Sequence, residues 1–247
     1  MNPADNTVLI TGGASGIGLA LAQRFLKAGS RVIICGRRQE KLREAAAVSP
    51  GLITRVCDVG SEADRVALAE WVVREYPALN VLVNNAGIQR RGVDLSNAER
   101  WPDTHSEIAI NLEAPIHLTG LLTPHLRRQA NAAILNVTSG LSFVPIAYMP
   151  VYCATKAALH SITLSLRRQL TNTPVKVIEI IPPAVNTDLG GPGLHTFGVP
   201  LDEFADAVMQ RVATGELEIA YGFAEQASKA SRAELDEHFE RLNQPRG

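Results

Sequence analysis

Cysteine is scarce in this chain of 247 residues, and the three present do not pair: Cys35, Cys57 and Cys153 form no CxxC unit. An odd number without close spacing excludes a disulfide frame or a zinc set and reads as reduced, small, mostly strand-borne hydrophobes. His105, His117 and His125 share no spacing with acids or cysteines that specifies a metal ion, so no metal is expected. Excess charge is missing too, since 24 Lys and Arg stand against 25 Asp and Glu. That removes any global reason to expect nucleic acid or an anionic membrane as a partner. No apolar run reaches the length of a membrane span, and the first ten residues carry no basic segment ahead of an apolar one. A soluble, cytoplasmic protein is the expectation. Internal repeats and low-complexity tracts are also absent, which favours one domain over residues 1–247.

What is present is organised around VLITGGASGIG, residues 8–18. A short apolar run ends in glycines and passes into a helical pattern at Ile17-Gly18-Leu19-Ala20. Strand, tight turn and helix start make an anion site, because the glycines let the backbone approach a pyrophosphate and the helix presents free amides. Beyond it, strand candidates at 31–35, 52–57, 80–83, 133–137, 175–180 and 218–220 alternate with helical stretches at 40–48, 62–76, 108–129, 151–170 and 204–212. The strands are almost continuously apolar, as in a doubly wound parallel sheet covered by helices on both faces. About seven strands are expected. Pro115 and Pro124 predict a kink in 108–129, or a break near Pro124. Residues 89–102 read as a polar loop, and 182–200, dense in proline and glycine, as a lid or binding loop. Leu235, Phe239 and Leu242 give 232–242 one apolar face.

Tyr152 and Lys156 stand one turn apart on the same helix face, and Ser139 lies just past a strand end, where open parallel sheets bind ligands. A phenol protonates a carbonyl oxygen well if a neighbouring ammonium lowers its pKa, and a neutral hydroxyl can hold that oxygen. Alone, such a Tyr–Lys pair is usually structural. After a nucleotide turn and a strand-end serine, it points to catalysis.

In these strings the chain resembles the short-chain dehydrogenase/reductase family. The TGxxxGxG motif matches Thr11 to Gly18, NNAG matches Asn84 to Gly87, and YxxxK matches Tyr152 to Lys156. The likeness runs from about residue 5 to 220 and implies a Rossmann-type sheet. It also implies a catalytic set of Asn111, Ser139, Tyr152 and Lys156. Tyr152 is then general acid or base, Lys156 lowers its pKa and bonds the nicotinamide ribose, Ser139 positions the substrate oxygen, and Asn111 holds a water linking Lys156 to solvent. Asn111 reads equally as a locally bonded helix residue. Gly12, Gly16, Ile17 and Gly18 would take the pyrophosphate, Ser15 could add a hydroxyl contact to a 2′-phosphate, and Asn85, Ala86 and Gly87 would form the cofactor-supporting turn. Asp58 and Val59 would meet the adenine, although Asp58 could instead cap the next helix. Pro182, Val185 and Thr187 would meet the nicotinamide, with Pro183 replacing the family's usual glycine. The PPAVNTDL string and the tail from Glu218 resemble a bacterial subgroup of oxidoreductases, among them one encoded near D-alanine–teichoic acid genes.

Arg37 and Arg38 stand where NAD enzymes usually carry a carboxylate, so NADP(H) is expected over NAD(H), unless one arginine only stacks on adenine. Leu141, Val144 and Tyr148, with Leu189, Leu194, His195 and Phe197 from the late loop, form the expected substrate rim. No arginine or lysine is evident there, which argues for an apolar or aromatic carbonyl compound or alcohol rather than a small anion. The long helices imply a homodimer or homotetramer through the family's four-helix contact, but Leu118, Leu121, Leu122, Ile162, Leu166 and Leu170 could as well face the sheet. The alternatives to a carbonyl reductase are a dinucleotide-binding regulatory or structural protein without turnover, and an NAD-dependent epimerase or dehydratase.

Overall fold

The computed structural model describes residues 1–97 and 101–244. Its apolar runs become β1 (Thr7–Thr11), β2 (Arg31–Gly36), β3 (Ile53–Val56), β4 (Val81–Asn84), β5 (Ala132–Val137), β6 (Val175–Ile181) and β7 (Glu218–Ala220). Among the described residues these strands form one sheet of order β3-β2-β1-β4-β5-β6-β7, and every pairing is parallel. Strand order reverses between β1 and β4. A crevice opens at such a switch point, beyond the carboxyl ends of the strands.

The pleat sends alternate residues to opposite faces. Val8, Ile10, Val32 and Ile34 pack on Leu21 and Phe25 of α1 (Gly16–Lys27) and on Phe204 and Val208 of α7 (Leu201–Thr214). Leu9, Ile33, Leu82 and Ile134 pack on Leu68 and Val72 of α3 (Glu62–Glu75) and on Leu118 and Leu122 of α5 (Ala114–Leu126). Burying each such side chain contributes roughly 1.5–3 kcal/mol. With α2 (Gln39–Val48) and α6 (Pro150–Gln169), both faces are covered.

Four expectations change. The loop at 89–102 ends earlier than the sequence suggests, because Trp101–Ile108 is helix α4 and Pro102 sits in its first turn, where a missing N–H costs little; residues 98–100 lie outside the described residues. The interruption in the long helical stretch falls at Ala109–Glu113, a π-helical turn, and α5 runs through Pro124 to Leu126. Pro115, at the start of α5, has no N–H for the carbonyl of Asn111 and so loosens the ladder there. A helix absent from the periodicity reading, α8 (Phe223–Lys229), packs near the end of β5, whereas α9 (Arg232–Leu242) keeps no fully buried residue. Finally, Leu118, Leu122 and Leu170 are sheet-facing core, with Leu121 and Leu166 packed against it; Ile116 and Leu164 are the exposed apolar residues of these helices. No helix among the described residues is long and apolar enough to cross a membrane.

Candidate active site

At the carboxyl edge, Thr11 ends β1 and its hydroxyl accepts from the amides of Asn85 and Ala86, each at 3.0 Å. The Asn85 side chain returns to the carbonyls of Thr11 and Gly12 at 2.9 and 3.2 Å. The two motif loops are thus sewn into one wall. Gly12 has φ +64°, and a Cβ on it would lie 2.8 Å from Ala86 Cα. A Cβ on Gly18 would lie 2.4 Å from Asn85 Nδ2 and 2.5 Å from the Gly12 carbonyl. Neither position admits a side chain. Ser15 precedes α1 in extended conformation with no side-chain capping bond, and no acid occupies the first turn of α1. This cradle of free amides fits a dinucleotide pyrophosphate. Gly16 and Ile17 open the helix, and the Thr187 methyl is the nearest group to the space a Gly16 Cβ would fill, at 3.5 Å.

Arg37 and Arg38 follow β2, exposed, and neither has an ion-pair partner among the described residues. Asp58 does not cap α3; Ser61 does, while Asp58 accepts from the Gly60 amide at 2.9 Å. Val59 is buried, its carbonyl held by Arg65. Pro182 and Val185 are buried at the head of the late loop, where the Pro182 carbonyl accepts from Gly140. The loop closes on itself: Val185 bridges Val199, with Asn186 N to Val199 O and Val199 N to Ala184 O both at 2.9 Å.

Ser139, Tyr152, Lys156 and Asn111 are all buried at this edge. Ser139 begins the short turn Gly140–Ser142; its Oγ accepts from Leu141 N at 3.1 Å, and its O–H is directed to the Tyr152 phenol. That turn rests on α8, since a Cβ on Gly140 would lie 3.0 Å from Ala224 Cβ. Tyr152 forms a small buried cluster with Met149 and Cys153, and Leu141, Ile146 and Leu189 pack against it as an apolar wall. Burial holds the phenol well above its ordinary range, and the hydrogen bond with Ser139 works against that rise.

Lys156 is not among the groups that shift the phenol in this arrangement. Its Nζ lies 5.8 Å from the Tyr152 ring centre and donates to the Val137 carbonyl at 2.8 Å. Burial pulls the ammonium itself down to about 8. Asn111 stands in the π-helical turn, its amide spent on Ile88 (2.9 Å from N, 2.8 Å to O) and on Thr155. Gly87 sits between them, since a Cβ there would meet Asn111 Oδ1 at 3.5 Å and Lys156 Nζ at 3.7 Å.

The expected rim comes together only in part. Val144 is fully buried, Leu141 and Leu189 line the phenol wall, and Tyr148 and Phe197 are 59% and 76% exposed. Leu194 is half-buried beside Gly191, while His195 is buried. The expectation of a rim without arginine is overturned, because Arg91 donates to His195 across 3.1 Å. Two more groups escaped sequence reading. Glu107 is wholly buried, with one carboxylate oxygen on the Arg90 amide and the other unpartnered; burial raises its pKa, and its charge favours the protonated form of Lys156. Its spacing of four from Asn111, in an otherwise apolar run, was the available signal. Buried Glu179 holds Thr138 and His160, and this bond raises the His160 pKa.

The geometry has counterparts. The profile of the short chain dehydrogenases matches residues 6–194. An uncharacterized oxidoreductase of Bacillus subtilis, DltE, is 48% identical over 248 residues, covering 98% of both chains. An uncharacterized oxidoreductase of Staphylococcus epidermidis is 32% identical over 189 residues, 75% of this chain and 80% of that one. Among solved structures, a short chain dehydrogenase from Burkholderia cenocepacia in complex with NADP superposes with a TM-score of 0.85 at 25% identity, covering 99% of this chain and 100% of that one. With three quarters of its length matched and its fold shared, the chain belongs to the short-chain dehydrogenase/reductase family of oxidoreductases.

Proposed function

We propose that this chain transfers a hydride between NADP(H) and a carbonyl or secondary alcohol of apolar or aromatic character, with Tyr152 as general acid and base. The observation that carries the reading is a phenol buried beside a serine hydroxyl, one helical turn from a buried ammonium, at the sheet edge that also bears the glycine cradle. When bound, the nicotinamide supplies or accepts the hydride. Gly12, Gly16, Ile17 and Gly18 hold the pyrophosphate, Asp58 and Val59 flank the adenine, and Asn85, Ala86 and Gly87 back the ring end. Pro182, Val185 and Thr187 meet the carboxamide end, and Arg37 and Arg38 take a 2′-phosphate, which suits their guanidinium forks, with the Ser15 hydroxyl adding a contact.

Ser139 turns its O–H from the phenol to the substrate oxygen, and Tyr152 gives that oxygen its proton in reduction and removes it in oxidation. The high pKa of the phenol in the ligand-free chain means that a phenolate needs a cation nearby. Lys156, whose ammonium rests on the Val137 carbonyl, turns toward it and also bonds the ribose. Asn111 fixes the 87–88 backbone; its carbonyl, which Pro115 cannot bond, holds the water that links Lys156 to solvent. Residues 1–247 act as one catalytic domain, with 182–200 as the substrate loop and 232–242 as a terminal helix. The working form is a cytoplasmic homodimer or homotetramer, assembled through the exposed Ile116 and Leu164 faces of α5 and α6. Similarity to the NADP-complexed Burkholderia chain supports the cofactor reading.

The test is Tyr152→Phe, assayed by NADPH consumption over a panel of carbonyl compounds. Cofactor binding should persist while turnover falls about a hundredfold or more. Unchanged turnover would remove Tyr152 from proton transfer.

A further inference from the structure

Two loops far apart in the chain meet above the Tyr152 wall. Leu189 belongs to that wall, and its neighbour Gly190 lies against Gln89, where a Cβ would be 3.2 Å from the Gln89 carbonyl. On the other side the Gly92 amide donates to the Tyr148 carbonyl at 2.9 Å. Between these anchors half-buried Arg91 reaches His195, with Nη2 3.1 Å from Nε2. A guanidinium has only donors, so Nε2 is the acceptor and the imidazole proton belongs on Nδ1. That Nδ1 is buried, in a residue only 7% exposed; the Thr187 carbonyl is near enough to favour its protonated form but makes no well-formed hydrogen bond with it. Burial, then the charge of Arg91, favours the neutral ring; the Thr187 carbonyl pulls the other way.

The positive charge is also unmatched. Arg91 has no carboxylate partner among the described residues; its other neighbour is the uncharged Gln89 Oε1, 3.4 Å from both Nε and Nη2. Nearby acids are engaged elsewhere or turned outward: Asp94 holds Ser96, Glu107 holds the Arg90 amide, and Asp188 is exposed without an ion pair. The cluster therefore offers a guanidinium and a weakly engaged N–H donor, with no anion among the described residues to complete them. Such a deficit is costly in a partly dry site. A carboxylate completes it, because its two oxygens match the guanidinium fork.

We propose that Arg91 and His195 form an anion subsite, and that the substrate carries a carboxylate beside its apolar or aromatic body. This rests on the reading of Tyr152 as the reacting centre. The carboxylate is held by loops 89–92 and 189–195, and the body lies along Leu141, Ile146 and Leu189.

The test is calorimetric titration of the full chain, saturated with NADP+, with 3-phenylpropionate and 3-phenylpropanamide, which share a body and differ in charge. The acid is expected to bind about tenfold or more tightly than the amide. Arg91→Gln should bring the acid to the amide's level, and Arg91→Lys should restore part of the preference. Equal affinities for the wild-type chain, no measurable binding of the acid, or an undiminished preference in Arg91→Gln would each overturn the subsite. The wild-type comparison stands even if a variant fails to fold. Turnover is measured separately with aryl oxo acids of increasing chain length. Acid preference without NADPH consumption would refute hydride transfer and leave the subsite intact.

Discussion

The glycine cradle and the late loop lie at the same sheet edge but are built in opposite ways. The cradle is built around backbone: the Thr11 hydroxyl and the Asn85 side chain bond main-chain amides and carbonyls of 11–12 and 85–86, and a single carbon added at Gly12 or Gly18 collides. The loop at 182–200 is shaped by side chains meeting across long stretches of sequence, such as Arg91 with His195, 104 residues apart. Backbone fit leaves a short, local trace in a sequence. Side-chain encounters leave none.

The largest expected effect is at the seam between the two regions, where Lys156 serves both. Burial moves its pKa from 10.5 to about 8, so between those values the folded chain binds fewer protons than the unfolded one. Stability from this group therefore rises with pH across that window, and the cost of the buried ammonium is present in full below it. Lys156→Met should abolish turnover yet stabilise the ligand-free chain at pH 7 by on the order of 3 kcal/mol, read from urea unfolding. The gain should shrink toward pH 10.5; a pH-independent gain would place its origin elsewhere.

The cradle side can be sharpened at its outer end. Arg37→Asp with Arg38→Ala should weaken NADPH about a hundredfold while changing NADH little, measured by nucleotide fluorescence titration. Equal losses for both cofactors would refute 2′-phosphate recognition. A matched pair of glycines then sets one region against the other. Gly18→Ala must displace Asn85 or the Gly12 carbonyl, with a cost of about 1–3 kcal/mol and loss of cofactor affinity. Gly193→Ala, at φ +74° with nothing within 4 Å, should cost about 1 kcal/mol from backbone strain alone and leave cofactor affinity as it was. If the loop variant harmed cofactor binding as much as the cradle variant, the contrast between the regions would fail.

The strands were readable because their apolar runs need two covered faces, and β7 at Glu218–Ala220 follows its run residue for residue. The Tyr152–Lys156 pair was readable for a similar reason: four positions on a helix fix a shared face whatever surrounds it. Pro115 does mark the interruption in the long helical stretch, but Pro124 misled, since α5 runs through it, and Pro102 opens a helix where the pattern reads as loop. Helix α8 is short and gives little periodicity, so its place behind Gly140 emerges only when Ala224 is seen against it. The acidity of Tyr152 was beyond reach from spacing alone. Burial and the direction in which Lys156 points decide it, and neither is a property of two residues in a string.

The bridge between Val185 and Val199 ties the two ends of the late loop to one another, so the span between them behaves as an interchangeable insert. On the proposed reading, changes at its exposed positions, such as Phe197, alter what the loop admits while the strand ends beneath stay where they are. Thr187 and Leu189, inside the same span, stay tied to the cradle and to Tyr152, so drift is confined to the positions that face outward.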